Sequence, residues 1–125
     1  MRGARIASDF AASSLAAVSA VAAAAPTVGR YDAQLCVTLS ADAPSCGAAE
    51  VEWQPNGHAR VRVSDISYHL LMRGSQVEVV LTHGAMQIDE FIAPFEWVGR
   101  SLRFVDANRS ARYEVRLGER KAARP

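Results

Sequence analysis

Charge of one sign is what this sequence most clearly lacks. Its 125 residues carry 14 basic and 13 acidic side chains, a formal net charge of +1. So balanced a chain has no broad field to attract phosphate backbones or anionic lipid. That excludes a strongly cationic nucleic-acid binder and a disordered tail of one charge. Cysteine is scarce as well: two residues are too few for a disulfide-dense miniprotein. No apolar run approaches the several spans of a polytopic membrane protein, and the length leaves room for one domain rather than a multidomain enzyme. Catalytic motifs are missing too. There is no Gly-x-Ser-x-Gly, no phosphate-binding glycine loop, no His-x-x-x-His and no Cys-x-x-Cys.

Half of the residues are apolar, but they are unevenly spread. Residues 1–25 hold 11 of the 23 alanines, whereas eight of the nine aromatics lie beyond them. Arg2 and Arg5 form a short positive start, and the stretch from Ala11 to Ala25, AASSLAAVSAVAAAA, is uncharged and ends in small residues before Pro26. This layout predicts a secretory signal peptide over residues 1–24, cleaved after Ala24. A permanent membrane span would need about 20 apolar residues, longer and less alanine-rich than this. The exported protein therefore carries no stable membrane anchor. Its charge balance sharpens: losing Arg2, Arg5 and Asp9 leaves 12 basic against 12 acidic residues. Residues 25–32 read as a linker, 33–118 as a β domain and 119–125 as a flexible basic tail.

Cys36 and Cys46 enclose VTLSADAPS, a stretch rich in turn formers. In the oxidising compartment that export implies, they are expected to form a structural disulfide.

Beyond Arg30 the apolar residues recur with period two in short runs bounded by Gly, Pro, Asn and Asp, the pattern of strands joined by tight turns. Gln54-Pro55-Asn56-Gly57 predicts a turn that sets Val51 against Val61, Glu52 against Arg60 and Glu50 against Arg62. Apolar then meets apolar and acid meets base, which a one-residue slip would ruin. Gly74-Ser75 pairs Met72 with Val77, Leu70 with Val79 and Tyr68 with Leu81. A turn at Gly84 is expected to bring Met86 and Ile88 alongside Leu81 and Val79. Ala93-Pro94 should interrupt the run, since proline lacks the ladder donor. Gly99-Arg100 pairs Trp97 with Leu102 and Phe95 with Phe104. The change of parity between Val63 and Ile66 marks Ser64-Asp65 as a bulge or corner in one long strand. The fold class is thus all-β: a small antiparallel meander of seven to eight strands, closing as a barrel or a sandwich. Trp53, Tyr68, Trp97, Phe104 and Tyr113 should fill its interior and leave no room for a large cofactor, and none is expected.

The candidate site lies on the outer face of the middle strands. Leu71, Val80 and Phe91 should point away from the core there, interspersed with His69, Glu78 and Asp89. An apolar patch with a polar rim suits contact with a protein partner. The histidines lie too far from a carboxylate for shared chemistry, and Arg112-x-Glu114-x-Arg116 reads as a solvated ladder of cross-strand ion pairs. The leading functional expectation is a small exported, non-catalytic binding protein of the cell envelope, an inhibitor, accessory or assembly factor. The alternatives are a structural envelope component that self-associates through Leu71, Val80 and Phe91, and a small hydrolase using surface histidines.

Overall fold

A computed structural model describes residues 25–122. The segment read as a signal peptide lies outside the described residues, as do residues 123–125. Eight strands follow one another: β1 (Gly29–Leu39), β2 (Ser45–Trp53), β3 (His58–Val63), β4 (Ile66–Arg73), β5 (Gln76–His83), β6 (Met86–Val98), β7 (Ser101–Asp106) and β8 (Ala111–Arg120). Each pairs antiparallel with the next, and β8 returns to β1, so the meander closes as a barrel and not as a sandwich. Closure hides the two edges that an open eight-stranded sheet would expose.

Alternation builds the wall. In β7 Leu102, Phe104 and Asp106 turn inward while Arg103 and Val105 face out. The interior is filled by side chains. Phe104 stacks on Tyr113 with ring centroids 5.2 Å apart, Phe91 stacks on Tyr113 at 5.8 Å, and Tyr68 meets Tyr113 edge-on. A second aromatic pair, Trp53 and Trp97, lies 5.7 Å apart near the end where β2 turns into β3 and β6 into β7. Such pairs add directional attraction to the burial of large apolar surfaces. The expected interior aromatics are all in or against this core.

The registers anticipated for β2–β3, β4–β5 and β6–β7 are those found. At the first of these turns both Asn56 and Gly57 take positive φ, 63° and 78°, and the Gln54 amide donates to the His58 carbonyl. Cys36 and Cys46 are joined as a disulfide across β1 and β2.

Several expectations need correction. Ser64-Asp65 is not a bulge in one long strand. It is a two-residue hairpin turn with Val63 opposite Ile66 and Ser64 at φ 56°, and direct pairing across that turn is what changes the parity. Pro94 does not interrupt β6, which runs on from Met86 to Val98. The proline sits where β6 exchanges neighbours: residues up to 94 pair with β5, and those from 95 pair with β7. The linker is shorter than read, because β1 begins at Gly29. Tyr31 is buried and anchors the strand through its hydroxyl, which donates to the Thr27 carbonyl at 2.6 Å. The tail is also shorter: Glu119 and Arg120 belong to β8, the Lys121 amide donates to the Arg30 carbonyl, and the Lys121 ammonium bonds Glu50.

Candidate functional site

The outer face of β4–β6 is built of two cross-strand rows. His69, Val80 and Glu90 form one; Leu71, Glu78 and Ile92 form the other. The structure therefore brings together His69, Leu71, Glu78 and Val80 as anticipated. It does not place Phe91 or Asp89 with them. Phe91 lies opposite Val79 and is only 8% exposed, inside the barrel; Asp89 lies opposite Leu81.

The cause is a bulge. Met86 pairs with His83 and Gln87 with Thr82, but the next pair is Leu81 with Asp89, so Ile88 is the extra residue. One inserted residue exchanges the faces of everything after it. Ile88, expected inward, is 48% exposed; Met86, which precedes the bulge and pairs with the exposed His83 at the hairpin end, is 65% exposed. Ile92 takes the outward place assigned to Phe91 and is 63% exposed. The signal for this was present: Phe91, Ala93, Phe95 and Trp97 alternate without a break, and the pairing of Phe95 with Phe104 fixes the parity of all four.

Beside this face the wall is thin. The β6–β7 ladder covers only residues 95–98 with 101–104, so residues 86–94 pair on one side, with β5. The Phe95 amide donates to the Ser75 carbonyl on the β5 side, so beyond the bulge the even-numbered residues Glu90, Ile92 and Pro94 direct their backbone groups to the unpaired side. That edge is blunted. Pro94 has no N–H, the Glu90 N–H donates to the Asp89 carboxylate at 2.9 Å, and the Ile88 bulge distorts the strand. Arg109, from the turn before β8, closes the opening with an ion pair to Asp89 at 2.9 Å. A groove of about 650 Å³ runs over the outer wall nearby, lined by Cys36, Pro44, Pro94, Val105 and the side chains of Arg103 and Arg112. Arg103 pairs with Glu114, and Arg116 pairs with Glu114 as well, whereas Arg112 makes no ion pair among the described residues.

Burial, with smaller contributions from Tyr68, Asp106 and Asp89, pushes the Tyr113 hydroxyl up to about 12 against the opposing pull of Arg109. It stays protonated at neutral pH and cannot serve as a base. His69 Nε2 lies 3.1 Å from Thr82 Oγ1, a histidine–hydroxyl contact. Its cross-strand neighbours are Arg60 and Val80. His83 approaches the exposed Asp65 at 3.8 Å. Among the described residues no group of three or more His, Cys, Asp or Glu side chains is placed to hold a metal ion. Among them, too, no helix is long and apolar enough to cross a membrane.

Glu50 is the hub of the densest charge cluster, on β1–β3, where Arg30, Arg62 and Lys121 all reach it. The Lys121 hydrogen bond holds its carboxyl below the ordinary range. These pairs are largely exposed, so each adds little to stability.

Compared with known protein families, with curated proteins and with solved structures, the chain shows no significant match.

Proposed function

We propose that this chain is a small exported binding protein that acts by protein contact and not by catalysis. The observation that carries this reading is the outer face of β4–β6, where Leu71, Val80 and the 63%-exposed Ile92 lie on adjacent strands. Glu78 lies between Leu71 and Ile92, and His69 and Glu90 flank Val80, so apolar and polar side chains alternate across the face. A face that mixes apolar and polar side chains in this way has the composition of a non-obligate protein interface. With 12 basic and 12 acidic residues over 25–125, no net charge draws a partner from a distance, so the grip comes from apolar contact. The Cys36–Cys46 disulfide is compatible with an oxidising compartment outside the cytoplasm.

The test is capture from envelope and extracellular fractions with residues 25–125 as bait. Wild type and Arg116→Glu, altered on β8 across the barrel, should retain the same protein in stoichiometric amount, and Ile92→Arg should lose it. Equal capture by all three, or by none, contradicts the reading. Export is tested separately by the mass of the protein recovered outside the cytoplasm: a chain starting near Ala25 supports it, and an intact Met1 opposes it.

A further inference from the structure

The groove on the outer wall carries two opposite charges that no other described side chain answers. It is lined from β1, β6, β7 and β8, with Pro44 reaching in from the loop after β1. One of the two charges is Arg112. Its cross-strand neighbours are Val105 on β7 and Thr38 on β1, and neither is acidic. Glu114, two residues along the same face of β8, is already engaged by Arg103 at 3.3 Å and by Arg116 at 3.1 Å. The other charge is Glu96. Its one cross-strand neighbour is Arg103, which is committed to Glu114, and the residues beside it on the outer face of β6 are Pro94 and Val98.

The register sets how far apart these charges stand. With β7 between β6 and β8, Glu96 and Arg112 are separated by two strand spacings, about 10 Å, and by two residues along the strands, about 7 Å. Their backbones are therefore roughly 12 Å apart. Between them the wall offers Arg103, whose charge Glu114 balances, and apolar surface from Pro94 and the 45%-exposed Val105.

We propose that the groove binds a short peptide with both ends free, its ammonium at Glu96 and its carboxylate at Arg112. Such a peptide presents the two complementary charges at opposite ends of an apolar body. A single amino acid holds both charges beside one carbon and cannot reach the two residues at once. Two or three extended residues, at about 3.4 Å each, span the interval once the protein side chains lean inward. Apolar peptide side chains would then cover Val105 and Pro94. The groove volume of about 650 Å³ falls within the range of small-ligand sites. None of these residues belongs to the outer face of β4–β6 proposed for protein contact, so the two readings stand or fall separately.

The probe is the tripeptide Ala-Leu-Ala with free ends, compared with its N-acetyl and C-amide forms. Each is titrated into the purified protein at neutral pH and followed by the NMR shifts of Thr38 and Val105. Wild type should bind the free tripeptide saturably, and blocking either end should weaken binding about threefold to fivefold, the worth of one exposed ion pair. Arg112→Gln should bind the free and amidated forms equally, and Glu96→Gln the free and acetylated forms equally. Arg73→Gln, on β4, should behave as wild type. Arg112, Glu96 and Arg73 are all exposed, and circular dichroism checks that each variant is folded. No saturable shift at Thr38 and Val105, blocked peptides that bind as well as the free one, or variants that keep the wild-type order of preference would each overturn the proposal. Weakening on amidation alone would leave a plain anion site and overturn the two-ended reading.

Discussion

Replacing Phe91 with alanine removes a ring that packs against both Phe104 and Tyr113, with centroids 6.1 and 5.8 Å away. The β5–β6 ladder holds Phe91 opposite Val79, so the wall relaxes only in part into the space left behind. Cavity formation therefore adds to the lost transfer energy, and the cost should be about 3–5 kcal/mol, a large part of the stability of a domain of about 100 residues. That corresponds to a fall in melting temperature of roughly 15–30 °C. Ile92→Ala is the matched control: its side chain is 63% exposed, so its loss should cost within about 0.5 kcal/mol. Urea unfolding followed by tryptophan fluorescence is a direct assay, because Trp53 is only 5% exposed and Trp97 packs against it. If Ile92→Ala proves the more damaging of the two, the bulge at Ile88 is wrong and the two faces of β6 are exchanged. The outer face of β4–β6 would then lose Ile92, its most exposed apolar side chain.

Reducing the Cys36–Cys46 bridge, which joins residues 10 apart, should destabilise the barrel by about 2–3 kcal/mol, read as a lower urea midpoint in dithiothreitol. No change there would mean that the β1–β2 hairpin holds without it. Tyr113→Phe should leave stability unchanged or raise it by about 1 kcal/mol, since the buried hydroxyl has no hydrogen-bond partner among the described residues. A loss of about 2 kcal/mol or more would reveal a bond to that hydroxyl. The Glu50 carboxyl is held below its ordinary range by Lys121, so its contribution is present above the unfolded carboxylate value and lost as pH falls through the lower folded one. Wild type should therefore exceed Lys121→Met in stability by a constant margin at neutral pH, and the margin should close below about pH 4. A margin that instead widens in acid would contradict the sign.

The turns that carried readable chemistry fixed their hairpins. Gly74 and Gly99 supply the positive φ that a two-residue connection needs, and Pro55-Asn56-Gly57 does the same for β2–β3, so three registers follow from composition. Ser64 adopts the same kind of conformation without being glycine, and that disguised a hairpin as a bulge. The reverse happened at Ile88, where a true bulge carries no glycine and passes for regular strand. Closure of β8 onto β1 has no local signal at all, because it depends on the accumulated stagger of eight strands rather than on any one turn. The candidate face was legible on β4 and β5, where His69, Leu71, Glu78 and Val80 depend only on the Gly74 turn. On β6 it was not. Pro94 suggested a break, so the parity fixed by Phe95 and Trp97 was not carried back to Phe91 and Ile92.

Site-specific photo-crosslinking addresses the proposed protein contact in place. A photoreactive residue at Ile92, on the outer face of β4–β6, should give one discrete adduct with another protein in the envelope or outside the cell. The same group at Arg116, on β8, should give none. Adducts of equal yield from both positions, or none from Ile92 while the exported protein remains folded, would contradict the account.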